Sequence, residues 1–421
     1  MAQSVEPAQP AAGAAAAQQP ALPRNVVAAG LSSLFTDISS EMIVPVLPLF
    51  LTSVLGASPF TVGLIEGVAE ATASLLKAVS GWWSDRLSRR KPFMLFGYGL
   101  SNLVKPLFAL STSWPQVLVV RFADRFGKGV RGAPRDALIA DSVPANARGR
   151  AFGFHRMLDT IGAAIGPLLA FGLIRIYRGD YRHIFWWAGV PGIASVIILA
   201  FLVREPRNGG ANPAAPAGVG QAAADPDPAG RRHVPLGPAF GWLAVVSTLF
   251  ALGNSSDAFL ILRAQNIGLP ALLVPLAYFS FNAVYSALSW PAGSWSDRIG
   301  RRPLLVAGYL FFGLIYLGFA LANKAWQVWP LFALYGLYYA ATEGIQKALV
   351  VDVVPAGRRG TAIGLLNALT GVAAFPASLV AGYLWQRFGF AWSFYYGAGA
   401  AFLAATGLLI WPYERLPVSV Q

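Results

Sequence analysis

The chain has 421 residues, of which 56% are hydrophobic and only 12% charged, with a mean hydropathy of +0.54. A soluble domain carries about 25% charged residues and must present a polar outside, so this composition excludes one and defines a polytopic membrane protein set in a lipid bilayer. The absence of cysteine excludes disulfides, iron–sulfur clusters and thiol catalysis. Only His155, His183 and His233 are available as imidazoles, far apart in sequence, so neither a metal site nor a cofactor is expected.

An apolar stretch of about 20 residues can cross the hydrocarbon core as a helix. Twelve are predicted, over 25–53, 60–84, 92–111, 115–141, 149–174, 184–203, 238–262, 271–295, 303–322, 326–350, 359–384 and 391–411. Residues 1–24 are rich in Ala, Pro and Gln and are predicted to be a disordered tail without the basic start and apolar core of a signal peptide. Residues 204–237 lack apolar periodicity and are predicted to form a flexible linker, and 413–421 a short second tail. The expected organisation is a six-helix bundle over 25–203 and another over 238–412. With both termini in the cytoplasm, fifteen loop bases fall inside and five outside, which agrees with the bias of inner-membrane proteins. The net charge of +13 is then mostly topological, and nucleic acid is not an expected partner.

The two halves repeat. Gly81-Trp-Trp-Ser-Asp-Arg-Leu-Ser-Arg-Arg90 and Gly293-Ser-Trp-Ser-Asp-Arg-Ile-Gly-Arg-Arg302 share seven of ten positions at an offset of 212. The segment Asp141 to Arg148 recurs as Asp352 to Arg359 at an offset of 211, and Ser39-Ser40-Glu41 is matched by Ser255-Ser256-Asp257. A six-plus-six duplication in a membrane chain points to a transporter with a site between two bundles.

These residues resemble the major facilitator superfamily over nearly the whole chain outside the tail and linker. The loop Gly81, Asp85, Arg86, Arg89 and Arg90, with its second copy Gly293, Asp297, Arg298, Arg301 and Arg302, looks like the family's signature between spans two and three; Ser88 departs from it where Gly300 conforms. The resemblance implies an all-α fold of two pseudo-symmetric six-helix bundles. It also implies that these loops, with Asp141, Arg148, Asp352 and Arg359, latch the inner face. A carboxylate is favoured at a helix N-terminus and arginines can clamp it. Gly153, Gly162, Gly166 and Pro167 are similar to the family's antiporter and exporter motif, without its usual trailing glycines. Small residues four apart also let helices pack closely.

Ionisable groups in a bilayer are costly and mark pathways. Asp37 lies about 18 Å into span one at 1.5 Å per residue, near the midplane, with Glu41 one turn further on the same face. These two are the first candidates for proton coupling, followed by Asp159 and Glu70. In span four, Asp124, Lys128, Arg131 and Arg135 step by 4, 3 and 4 along one face; this stripe is expected to face the cavity or the acids Glu66, Glu70 and Asp37, with mutual neutralisation the larger part of its role and an anion site the alternative. Tyr285, Trp290, Tyr335, Tyr338 and Tyr339 are candidate wall residues. The GxGxxG match at 127–132 lacks a βαβ frame and is read as coincidence, its glycines and Pro134 loosening the helix. No Walker A sequence occurs, so ATP is not an expected driving force. No nucleophile arrangement supports an enzyme. The expected function is alternating-access efflux of a small-molecule substrate coupled to protons, by a monomer in the cell inner membrane; proton-coupled import of an organic anion is the alternative.

Overall fold

The computed structural model describes residues 22–87, 89–144, 147–205, 236–355 and 358–411, with the side chains of Asp85, Trp290 and residues 293–298 outside the description. Residues 1–21 of the first proposed tail, all of the second and nearly all of the linker lie outside the described residues, and Arg24, placed in the tail, begins the first helix. The described chain forms twelve helical segments: α1 (Arg24–Val54), α2 (Pro59–Leu87), α3 (Lys91–Leu110), α4 (Trp114–Asp141), α5 (Arg148–Ile176), α6 (Tyr181–Leu202), α7 (Pro238–Asn266), α8 (Val274–Ile299), α9 (Arg301–Leu321), α10 (Val328–Val353), α11 (Arg359–Phe388) and α12 (Phe390–Ile410).

Nine of these are long and apolar enough to cross a membrane by themselves. The other three are α2, α4 and α10, which carry Glu66, Glu70 and Lys77; the charged stripe; and Glu343 with Lys347 amid tyrosines. They reach a membrane interior only because neighbouring helices cover their polar faces. Helix α4 shows how. A Cβ on Gly127 would stand 2.5 Å from the Gly97 carbonyl of α3, and one on Gly129 would stand 2.7 Å from Leu76 Cβ of α2. The two glycines thus wedge the most charged helix between two others. The helix runs unbroken through Pro134, so the expected loosening is replaced by close packing.

The packing follows the repeat. In the first half α1 packs on α5 and α6, α2 on α4, and α3 on α4 and α6; in the second, α7 packs on α11 and α12, α8 on α10, and α9 on α10 and α12. The halves meet through α2 against α11 and α5 against α8, which exchange under the same six-helix shift. The α2–α11 contact is backbone-close: a Cβ on Gly63 would lie 2.2 Å from the Ser378 carbonyl, and one on Gly382 2.7 Å from the Pro59 carbonyl. These residues lie in the ends of α2 and α11 remote from the chain termini, so the bundles are joined at that far end.

Two spans are interrupted. Helix α1 turns irregular at residues 44–46, beside Pro45 and Pro48, and α7 opens at residues 254–257. Each break leaves an acid, Glu41 or Asp257, next to backbone that has left the helical ladder.

Candidate functional site

The site is built on α1. Gly162 and Gly166 of α5 press against it: a Cβ on Gly162 would stand 3.0 Å from Asp37 Cβ, and one on Gly166 2.6 Å from Glu41 Cβ. The motif that resembles the exporter signature therefore seats the helix that carries both candidate acids. Pro167 is buried in the same helix, whereas a side chain on Gly153 would meet nothing within 4 Å.

Among the described residues, most other acids of the first-half helices have an arginine beside them, and Asp37 and Glu41 do not. Arg121 donates to Glu66 at 2.8 Å and stands 3.6 Å from Asp124. Arg125 approaches Asp124 at 3.8 Å and Glu70 at 3.7 Å, and Ser101 donates to Asp124 at 2.6 Å. Arg135 donates to Asp136, and Asp159 faces His155 at 3.4 Å. Neither Asp37 nor Glu41 has an ion-pair partner within 4 Å among the described residues, and the buried Glu41 Oε2 has no hydrogen-bond partner there. An ionised carboxylate stripped of water and given no partner is costly.

The charged stripe of α4 is divided between two surroundings. Lys128 is exposed and lies within electrostatic reach of Asp37, Glu41 and Glu70. Asp124 and Arg131 are buried, Arg131 with its guanidinium 4.2 Å from the centre of the Tyr98 ring, and Arg135 donates to Ser33 and Asp136. Of the four, Lys128 is exposed, Arg135 half-buried and the other two buried. At 100° per residue the four stay within about 60° of one another, so the division follows from the neighbour that meets each: Ser101 and Tyr98 of α3 meet Asp124 and Arg131, and Ser33 of α1 meets Arg135.

Lys105, at the point where α3 tightens into a 3₁₀ turn, is buried and donates to Ser39, Ser40 and Asn102 at 3.2, 2.8 and 2.9 Å. It ties α3 to α1 beside the acids. Arg263 likewise caps the ends of α7 and α9, donating to the Phe319 carbonyl at 2.9 Å with its guanidinium 3.5 Å from the Phe390 ring centre.

The second half supplies aromatic walls. A cavity of ≈ 570 Å³ is lined by Arg156, Tyr285, Tyr339, Glu343 and Lys347, and a second of ≈ 400 Å³ by Ser74, Lys77, Tyr309, Tyr338 and Glu343. Both lie between the halves, at mid-depth or on the side of the chain termini, opposite the closed far end. Tyr285 donates to Glu343 and accepts from Arg156, so three helices from both halves meet at one hydroxyl. Tyr335 donates to Asp257 at 2.8 Å and is buried, as is Tyr338. Asp257 was noted in the repeat without being put forward as a site residue; its position at the α7 break, within electrostatic reach of Glu41 and Glu70, makes it one.

At the ends nearer the termini, Arg90 stands 3.6 Å from Asp141 and Arg301 donates to Asp352. Sequence identity aligns Arg90 with Arg302, but these pairs align it with Arg301, because the second loop is one residue shorter. Gly300 closes that loop at φ 100°, a conformation that glycine adopts freely. Arg302 caps the carbonyls of Leu408 and Leu409, Arg86 lies 5.5 Å from the Trp82 ring centre, and Arg89 is exposed. Gly81 packs toward Ala133, and Arg148 and Arg359 begin α5 and α11. The side chains of Asp85, Asp297 and Arg298, and the surroundings of Gly293, lie outside the description.

Twelve helices related by an internal repeat, with a polar and aromatic crevice between the halves, define a multi-pass membrane carrier. The chain belongs to the major facilitator superfamily, whose family model matches residues 29–281 and 241–420. It is 36% identical over 371 residues, 87% of this chain and 89% of the relative, to an uncharacterised MFS-type transporter of Methanocaldococcus jannaschii. It is 27% identical over 312 residues to the fosmidomycin resistance protein of Escherichia coli, covering 72% of each chain. In fold it matches a crystal structure of a D-xylose–proton symporter with a TM-score of 0.72 at 16% identity, covering 93% of this chain and 98% of that one. The protein is therefore a secondary transporter and not an enzyme.

Proposed function

We propose that the protein exports a small organic solute by alternating access in exchange for protons, acting as a monomer in the cell inner membrane with both termini in the cytoplasm and without ATP. The observation that carries this reading is the isolation of Asp37 and Glu41. They are the acids of the α1 face that the α4 arginines leave unpaired, and they adjoin the crevice where Lys128 is exposed. A carboxylate with no permanent partner can exchange a proton for a solute; one locked to an arginine cannot. Protonation of Asp37 or Glu41 from the outside releases the solute, and deprotonation at the cytoplasmic face restores the binding form. The α1–α5 glycine contact supports export, as does the similarity to a resistance protein.

The test is transport in inverted membrane vesicles with Asp37→Asn and Glu41→Gln, using a solute identified by screening a deletion strain for sensitivity. Loss of pH-gradient dependence in either variant is expected. Unchanged dependence in both overturns the assignment.

A further inference from the structure

Behind the candidate acids, four helices contribute to one row of hydrogen-bonding groups. Asp159 on α5 has one oxygen 3.4 Å from His155 Nδ1, one turn away, a loose contact that a small rotation closes. His155 Nε2 is 2.9 Å from Ser33 Oγ on α1, and Ser33 Oγ is 2.8 Å from the Tyr98 hydroxyl on α3. Arg135 of α4 also donates to Ser33, at 3.3 Å. His155, Ser33 and Tyr98 are buried, and the second Asp159 oxygen is buried without a hydrogen-bond partner.

The donors and acceptors of this row can be arranged in two ways. With Asp159 ionised, the imidazole keeps its proton on Nδ1 and points it at the carboxylate. Nε2 then accepts from Ser33, which accepts in turn from Tyr98 and Arg135. With Asp159 protonated, its hydroxyl donates to Nδ1, the imidazole proton sits on Nε2 and donates to Ser33, and Ser33 donates to Tyr98. The four groups hold three exchangeable protons in the first arrangement and four in the second, so the change takes up one proton. The ring stays neutral in both.

We infer that His155 is a positioning residue for proton coupling, and that its change of tautomer lets the buried row accommodate Asp159 both with and without a proton. This inference rests on the proton-coupled reading of the same site. The charged and titratable groups facing Asp159 and His155 are Asp37 of α1, Arg131, Arg135 and Asp136 of α4, Tyr98 of α3, and Arg156 of their own helix. Beside the row, Ser195 of α6 bonds Ser32 and Thr36 of α1, Asn282 of α8 donates to the Ala163 carbonyl one turn from Asp159, and Tyr285 of α8 accepts from Arg156. Asp37 sits at the Gly162 contact, less than one turn from Asp159, so a proton held there and one held on Asp37 influence each other.

The test uses the full chain, labelled with ¹⁵N-histidine, in lipid bilayers. Ring-nitrogen NMR reports the tautomer directly, and His183→Gln and His233→Gln assign the other two imidazoles. The His155 signal is expected to move from the Nδ1–H to the Nε2–H pattern as pH falls, without forming the imidazolium, and this movement is lost in Asp159→Asn. Ser33→Ala and Tyr98→Phe shift its midpoint by about one pH unit while leaving the helical content intact. A His155 ring that keeps one tautomer at every pH, charges fully, or still switches in Asp159→Asn overturns the inference. Transport that ignores a pH gradient while the tautomer still switches refutes export by proton exchange and leaves the row standing. Gradient-driven transport with a fixed tautomer refutes the row alone.

Discussion

The Glu66–Arg121 pair offers the sharpest test of the division between structural and working charges. Its atoms are 2.8 Å apart, and the side chains are only 7% and 5% exposed. At that separation and an effective dielectric of about 20 the attraction is about 6 kcal/mol, most of it offset by the loss of hydration. Removing one partner leaves the other buried alone, at a cost of about 3–5 kcal/mol. Arg121→Gln is expected to reach this range, because Glu66 loses its cation and Asp124 keeps only Arg125 at 3.8 Å. Glu66→Gln should cost less, since Asp124 still faces Arg121 at 3.6 Å. The double variant should recover about 2 kcal/mol relative to the sum of the singles. Equilibrium unfolding in mixed dodecyl maltoside and dodecyl sulfate micelles, followed by the fluorescence of the 13 tryptophans, measures all four corners of the cycle. Asp37→Asn and Glu41→Gln, with no ion pair to lose, should each change stability by less than about 1 kcal/mol. A coupling below about 0.5 kcal/mol, or acid variants of α1 as destabilising as Arg121→Gln, would refute the reasoning.

Gly166→Leu should destabilise by about 1–3 kcal/mol and abolish transport, since its Cβ would meet Glu41 Cβ at 2.6 Å; Gly153→Ala, in open space, should leave both unchanged in the same unfolding and uptake assays. Lys128→Gln should preserve the fold yet alter solute affinity, which direct binding by calorimetry reads, whereas Arg131→Gln should lower stability through loss of its contact with Tyr98. A Cβ on Gly371 would stand 2.4 Å from Ser74 Cβ across the α2–α11 seam, so Gly371→Val should lower stability by about 1–3 kcal/mol and impair transport in the same assays.

The helical architecture was legible because crossing a bilayer demands long apolar runs, and because the duplicated loops fixed the count and symmetry of the helices. Span ends were read within a few residues, as for α2, predicted to end at residue 84 and ending at Leu87. The breaks in α1 and α7 are not part of the predicted spans: hydropathy runs unbroken through Pro45 and Pro48, and 254–257 holds no proline at all. Periodicity puts Asp124, Lys128, Arg131 and Arg135 on one side of α4, but which neighbour covers each of them depends on tertiary packing that periodicity does not contain. His155 shows the same limit. Its partner Asp159 is visible four residues on, while Ser33 and Tyr98 lie 122 and 57 positions earlier.

The three helices too polar to cross alone bear on how the chain enters a bilayer during synthesis. A lysine or arginine at the centre of a lone segment raises the cost of partition from the translocon by about 2.5–3.5 kcal/mol, and α4 brings five such residues between positions 121 and 135. Such a segment must wait beside the insertion machinery until α2 and α3 can escort it, the acids of the one answering the bases of the other. Biogenesis of the first half is thus a collective event, and a polypeptide truncated within it would leave α4 stranded at the lipid boundary.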